Sequence, residues 1–460
     1  MIGHLVQTDL EQLIQAQDWE SLRQILAALT DQDVAELLID LPEHDEGVIF
    51  RLLPRERAAQ VFSYLPLERQ EELITSLSSD QTRDLLNGMT PDDRVQLLDE
   101  LPSEVTRRLL EGLDPRQLRE TRTLLGYPPD TAGHFMTPEF VTLRPEMSVA
   151  EAMEHLRRSP KTIETLNVLY VMDSAGALIR DLRLATLVRA RPETLVGDLE
   201  DRATVSIPAR TDREEVVRAF EKYDRTALPV VDDRGHMVGI ITVDDVLDVA
   251  RSEATEDIHK IGGMEALDTP YVATPFVTLL RKRATWLSVL FVGEMATATV
   301  MGHFEHEIDK AVVLALFLPL IISSGGNSGS QASTLVVRAL ALGEIRLRDA
   351  LRVLGRELAS GAVLGLWLGV VGFLRVVIWQ WAGFADYGPH YALVGLAILV
   401  SLVGVVTFGT VAGSGLPFLL RLLRLDPATS SAPFVATLVD VTGLVIYFAA
   451  AAIILRGTLL

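Results

Sequence analysis

A chain of 460 residues with a net charge of -20 and 48% apolar residues is long enough for several domains. Its charge is unevenly placed: up to Tyr271 there are 52 acidic and 29 basic side chains, a net of -23, and from Val272 onward 10 acidic and 13 basic, a net of +3. An acidic half joined to an apolar half is not a nucleic-acid binder, because phosphate contacts need positive charge. The absence of cysteine removes disulfides and thiolate metal sites.

Residues 1–20 lack a basic stretch followed by an apolar core, so no cleaved signal peptide is expected and the N-terminus is expected in the cytosol. From there to about Gly126 the chain repeats every twelve residues or so. Pro42, Pro54, Pro66 and Pro102 each follow leucine, Thr90-Pro91 and Asp114-Pro115 fall in phase, and Ser78 fills the gap. Proline suits a helix start, where its missing N–H is no loss. The apolar residues between follow helical spacing, so residues 1–130 read as an all-α superhelix of short helices that stabilise one another by stacking.

Residues 134–258 contain a duplication. Residues 141–143 and 149–156 match 205–207 and 213–220 at an offset of 64, and 170–176 match 229–235 at an offset of 59. Each copy reads strand, helix, strand, turn, strand, helix, an α/β pattern, and Asp233-Arg234-Gly235 is a hairpin turn. With Phe135-Met136-Thr137-Pro138 at the start, Leu228-Pro229-Val230-Val231-Asp232 and Gly239-Ile240-Ile241-Thr242-Val243-Asp244-Asp245, the region resembles a tandem pair of CBS domains, 134–198 and 199–258. The resemblance implies a nucleotide such as ATP held by Thr242 and Asp245. The first copy departs from the pattern, with Arg183 and Thr186 at the aligned positions. A connecting helix is expected within 246–275.

Residues 280–460 read as an all-α membrane domain of five helices, near 284–303, 311–340, 350–381, 391–423 and 429–455. Arg281-Lys282-Arg283, then Arg346, Arg348, Arg352 and Arg356, then Arg421 and Arg424 mark one side; the alternate loops hold one lysine or arginine. The asymmetry places the N-terminus inside and the C-terminus outside.

Asp440 stands alone in this apolar region, with no basic residue within fifteen positions. Such a group is expensive in a membrane unless it faces a partner, for example Arg375, or water. A carboxylate suits a hard divalent cation, and Mg²⁺ dehydrates reluctantly, so a pore would bind it hydrated. The stretch Gly325-Gly326-Asn327-Ser328-Gly329-Ser330-Gln331 permits close helix approach and could free backbone carbonyls.

The Gly-Gly-Asn-x-Gly-x-Gln run and Ala436-Thr437-Leu438-Val439-Asp440-Val441-Thr442-Gly443-Leu444, with the domain order and Ala254-Thr255-Glu256-Asp257-Ile258-His259-Lys260, make the chain similar to the MgtE family of magnesium channels. The resemblance implies a homodimer in the lipid of a bacterial plasma (inner) membrane, importing Mg²⁺ along its two-fold axis. It implies a pore site at Asp440, with Ala436, Thr437 and Asn327 at the entrance. Several members have Asn before the proline of the last helix, where this chain has Ala432 before Pro433. It also implies closure by cytosolic Mg²⁺ bound among Asp92, Asp93, Asp212, Glu214, Asp224, Asp245, Asp248, Glu256, Asp257 and Asp426. Close carboxylates repel, and a divalent ion between them turns repulsion into a clamp.

Two other readings compete: a carrier for Co²⁺, Ni²⁺ or Mn²⁺, and a membrane-anchored nucleotide sensor that transports nothing. The lack of Cys or a membrane His–Met cluster disfavours softer metals. No nucleophile–base pair or phosphate loop points to an enzyme.

Overall fold

The protein is described here by a computed structural model that covers residues 12–41, 43–160, 163–267, 271–272, 274–310 and 312–458. Pro42, Pro270, Ala311 and most of the segment used for the signal-peptide reading, residues 1–11, lie outside the described residues. The chain forms two compact units, Met1–Ser252 and Glu253–Leu460.

The first unit begins with short helices in series: α1 (Trp19–Ala28), α2 (Asp31–Asp40), α3 (Glu43–Leu52), α4 (Arg55–Ser63), α5 (Leu67–Ser76), α6 (Ser79–Gly88), α7 (Pro91–Glu100), α8 (Ser103–Glu111) and α9 (Pro115–Leu124). Prolines open these helices in two ways. Pro91 and Pro115 occupy the first helical turn, whereas Pro54, Pro66 and Pro102 are N-caps in extended conformation. Where proline is missing, Thr30 with Asp33 and Ser78 with Gln81 form capping boxes.

A second device closes the other ends. The last carbonyls of a helix have no partner inside it, and here side chains from later helices reach them. Arg57 donates to the carbonyls of Leu26 and Leu29, and Arg69 to those of Leu38 and Leu41, both at 3.4 Å. Gln70 Nε2 lies 2.9 Å from the carbonyls of both Phe62 and Leu65. Arg94 reaches Leu86 and Met89 at 2.8 and 2.7 Å, and the Thr106 hydroxyl lies 3.0 and 3.1 Å from Leu98 and Leu101. The accepting positions step by twelve or twice twelve. Their side chains, including Leu26, Leu38, Phe62, Leu86 and Leu98, form the continuous core of the superhelix.

The duplicated region follows as two three-stranded sheets, β1 (Thr142–Leu143), β2 (Val168–Met172) and β3 (Leu178–Arg183), then β4 (Ile207–Pro208), β5 (Ala227–Val231) and β6 (Met237–Thr242). In each, the short first strand is parallel to the second and the second antiparallel to the third. Helices α10 (Val149–Arg157) and α11 (Leu184–Arg189) belong to the first copy and α12 (Arg213–Tyr223) to the second. The hairpin turns match: Asp173 Oδ1 accepts from Ala175 and Ala177 N–H, and Asp232 Oδ1 from Arg234 and His236 N–H. Gly176 and Gly235 close them at φ +89° and +81°, where a side chain would be strained. Val168, Tyr170, Ala227, Met237 and Ile240 join the copies in one apolar core. Helix α13 (Val243–Ile261) then leads into the second unit.

The second unit has five helical segments long and apolar enough to cross a membrane. They contain α14 (Phe276–His303), the short α16 (Val312–Ala315) followed by α17 (Leu318–Ala341), α18 (Ala350–Ala382), α19 (Tyr391–Leu422) and α20 (Ala432–Leu455); the short α15 (Glu305–Lys310) lies between the first two. Three details differ from the expected spans. Helix α14 starts at Phe276 behind Pro275, so Arg281, Lys282 and Arg283 lie within it. The second span breaks between Ala315 and Leu318, because Pro319 lacks an N–H and its ring crowds the carbonyl four residues back. At the break the Leu314 carbonyl accepts from the Phe317 N–H at 3.1 Å and from Tyr447 OH at 2.9 Å. Before the fifth span, Pro427–Thr429 forms a 3₁₀ turn and the helix begins at Ala432.

Small residues let these helices touch. A Cβ at Gly365 would stand 2.7 Å from Val403 Cα, so α18 and α19 meet backbone to backbone there.

Candidate functional site

Three acidic sites emerge, one in the first unit and two in the second. In the first, Asp92 and Asp93 open α7, while Asp244 and Asp245 open α13, with Asp248 one turn later. Glu164, in the loop before β2 and anchored by its N–H to the carbonyl of Glu139, completes the cluster. Burial, then repulsion from Asp245, Asp93 and Glu164, holds the Asp92 carboxyl well above the ordinary range. Burial and the acids Asp248 and Asp244 raise Asp93. Burial with Asp245, Asp244 and Asp93 pushes Glu164 up to about 7, and burial with Asp244 and Asp93 pushes Asp245 to about 6 despite its bond from Thr242. Asp92 Oδ1 is shut off from solvent with no hydrogen-bond partner among the described residues. Carboxylates that raise one another's pKa attract whatever cation reaches them.

The other expected sensor acids of this unit have local roles. Asp212 caps α12 through the N–H of Glu214 at 2.9 Å, Glu214 pairs with Arg218 at 2.6 Å, and Asp224 ends α12 in the left-handed conformation, φ 48°.

Thr242 Oγ1 donates to Asp245 at 2.6 Å, so the two nucleotide candidates are one hydrogen-bonded pair. In the first copy, Arg183 and Thr186 both bind Asp201, at 2.6 and 2.9 Å. That internal ion pair occupies the positions aligned with Thr242 and Asp245.

In the second unit, Glu256 and Asp257 lie half-buried on α13 and Asp426 caps the 3₁₀ turn through the N–H of Ala428 at 2.8 Å. Between Glu256 and Asp426 stands Lys260, whose ammonium is 2.5 Å from Glu256 Oε1 and 2.6 Å from Asp426 Oδ2. The cation expected to join them is supplied, in this structure, by the chain itself. Just beyond, Gly263, at φ +74°, packs against Trp286 of α14 and Pro433 of α20, leaving no room for a Cβ.

The membrane acid Asp440 is half-buried on α20. Arg375 is not its partner: the guanidinium lies over the rings of Phe317 and Trp379 and donates to Tyr387 OH at 3.3 Å. Instead the carboxyl of Glu294, on α14, lies beside that of Asp440. Gly326 brings α17 against the same turn, its Cβ position 3.5 Å from Ala436 Cβ and 4.0 Å from Asp440 Oδ1. Asn327 is exposed beside it, with Nδ2 3.4 Å from Ser323 Oγ, and Thr437 Oγ1 donates back to the Pro433 carbonyl at 3.1 Å. The Gly-Gly-Asn run is unbroken helix, so it contributes close packing and not an irregular loop. Ser330 and Ser333 tie α17 to the start of the last span through the carbonyls of Ala432 and Ser430, at 3.1 and 2.8 Å.

Comparison with known proteins matches this arrangement along its length. The chain is 43% identical over 350 residues to the magnesium transporter MgtE of Thermus thermophilus, covering 76% of both chains. The chain belongs to the MgtE family. Family models agree piece by piece: the MgtE divalent cation transporter over residues 318–450, the MgtE intracellular N domain over 29–130, and CBS domains over 132–191 and 196–252. The Bacillus subtilis MgtE is 31% identical over 339 residues, 74% of this chain and 73% of its own. The solved cytosolic domain of the Mg²⁺ channel MgtE in complex with ATP is 38% identical, covers 53% of this chain and 99% of its own, and superimposes with a TM-score of 0.50.

Within this MgtE-family chain, sequence reasoning passed over four residues at these sites, one of them Asp244, beside Asp245 at the start of α13. Glu294 gave the same signal as Asp440, a lone acid in an apolar run. Lys260 gave a weaker one, a cation four residues after Glu256 on a helix. Glu164 gave none, since only the fold brings a loop acid to Asp92.

Proposed function

We propose that the chain imports Mg²⁺ through a channel in a bacterial plasma membrane, as a homodimer with its N-terminus in the cytosol and its C-terminus outside, and that cytosolic Mg²⁺ closes it. The observation that carries the reading is the 43% identity to a magnesium transporter, together with an acid, Asp440, at the meeting of α14, α17 and α20. Mg²⁺ keeps its inner water, so a carboxylate and neighbouring oxygens at Asn327, Ala436 and Thr437 act on the hydrated ion as electrostatic and second-shell partners. Asp92, Asp93, Glu164, Asp245 and Asp248 form the sensing cluster. Binding of a divalent ion there removes the repulsion between α7 of the superhelix and α13.

A nucleotide is the second ligand we assign to this unit, at Thr242 and Asp245 of the second copy. The support is the Thr242–Asp245 pair and the ATP complex of a 38% identical cytosolic domain.

The deciding experiment is flux through proteoliposomes holding the purified full chain. Parent protein should admit Mg²⁺ and Asp440→Ala should not, with both eluting identically on size exclusion. Normal Mg²⁺ entry through Asp440→Ala would remove the pore assignment.

A further inference from the structure

The first spanning helix, α14, carries one acid in 28 residues, and that acid meets Asp440. The approach is built into both helices. Gly293, beside it, leaves α14 so near α20 that a Cβ there would stand 3.0 Å from Thr437 Cγ2. Glu294 is exposed and Asp440 half-buried, so the pair presents an open side. The neighbour of Asp440 across the helix contact is Glu294. Arg283, the nearest arginine or lysine along α14, is eleven positions away, about 16 Å along the axis.

We infer that Glu294 is a second acidic determinant of the ion path, which with Asp440 makes a two-carboxylate lining, from two helices, that favours divalent over monovalent cations. The inference rests on the pore reading of Asp440. Two carboxylates this close repel each other, and a cation beside them is attracted by both. A charge of two gains twice as much from the second carboxylate as a charge of one, so Glu294 acts on the ratio of the two ions more than on passage itself. Because the ion is bound through its water, Glu294 needs no inner-sphere geometry, only charge at that depth.

A structural role, pinning α14 to α20 through a hydrogen bond, predicts something different. Glu294→Gln keeps the size and the hydrogen-bonding capacity and deletes the charge. The test is full-length protein in liposomes, with Mg²⁺ and Na⁺ fluxes measured for parent, Glu294→Gln, Glu294→Asp and Asp440→Asn. The expected result is a Mg²⁺-to-Na⁺ ratio about tenfold lower in Glu294→Gln, parental in Glu294→Asp, and no Mg²⁺ flux in Asp440→Asn. A parental ratio in Glu294→Gln, with Mg²⁺ flux lost in Asp440→Asn, overturns the inference and leaves the pore standing. Parental flux in Asp440→Asn overturns both. If Glu294→Gln is recovered unfolded, Glu294→Ser takes its place, and a parental ratio there overturns the inference equally.

Discussion

Lys260 Nζ lies 2.6 Å from Asp426 Oδ2, joining the end of α13 to the turn that precedes the last membrane helix. The same ammonium is 2.5 Å from Glu256. Burial works against its charge, but the hydrogen bonds it donates to Asp426 and Glu256 outweigh that and hold the lysine pKa above its ordinary value. The junction is therefore closed by an internal cation, and a divalent ion binding there has to displace it. Lys260→Met leaves Glu256 and Asp426 facing each other. At low cytosolic Mg²⁺ this variant should pass more current than the parent, and half-inhibition should come at a lower Mg²⁺ concentration, since no ammonium competes. Single-channel recording across a range of cytosolic Mg²⁺ reads both, and a curve superimposable on the parent's would exclude this role for Lys260.

The acid cluster makes the stability of the first unit depend on pH in a defined direction. Glu164 rises from 4.5 to about 7 and Asp245 from 3.8 to about 6 in the folded state. Between the unfolded and folded values the native state holds protons that the unfolded chain has released, so stability falls as pH rises through that interval. In chelator, the fragment 1–270 should lose on the order of 2 kcal/mol between acid and mildly basic pH, and millimolar Mg²⁺ should restore most of it at the basic end. Urea unfolding at pH 5 and pH 8 reports this. Equal stability at both pH values without metal would contradict it, as would a fragment indifferent to Mg²⁺.

Nucleotide binding should be confined to the second copy. Asp245→Ala should weaken ATP at least about tenfold, whereas Asp201→Ala, which frees Arg183 and Thr186, should leave the affinity as it was. Calorimetry with ATP decides it: unchanged affinity in Asp245→Ala would reject the placement. Because Asp245 also belongs to the acid cluster, adding Mg²⁺ should strengthen ATP binding by screening Asp92 and Asp93 from the phosphates.

Much of the architecture was legible in the chain. The prolines marked the helix starts, the duplication marked the paired sheets, and hydropathy with lone Asp440 marked the membrane part. The break at Leu316–Phe317 could also have been read from Pro319. What stayed hidden depends on contacts distant in sequence. Glu164 and Asp92 are separated by three helices, α8, α9 and α10, and the strand β1, and each alone looks like an ordinary surface acid. The carbonyl-closing side chains were equally obscure, because Arg57 and Arg69 stand at one position of the repeat and Gln70, Arg94 and Thr106 at the next, with three residue types among them, and each alone looks like an ordinary polar surface residue.

Arg94 is the most buried of these, 2% exposed, with its guanidinium on Leu86 and Met89 carbonyls and the Thr121 hydroxyl. Arg94→Met fills similar volume but orphans both carbonyls. The fragment 1–270 should lose about 3 kcal/mol, measured by urea unfolding. A midpoint unchanged from the parent would show that the carbonyls find other partners.

The bonds that close the superhelix set a counting rule on its length. Each later helix must arrive with its donor aimed at carbonyls that recur every twelve positions. Loss or gain of a single residue inside a helix turns everything after it by about 100° and points the donor elsewhere. A whole twelve-residue block, taken out or added, returns every later donor to an equivalent acceptor. Variation in the length of this arm is thus expected to be quantised, with members of a lineage differing by complete blocks and seldom by one or two residues.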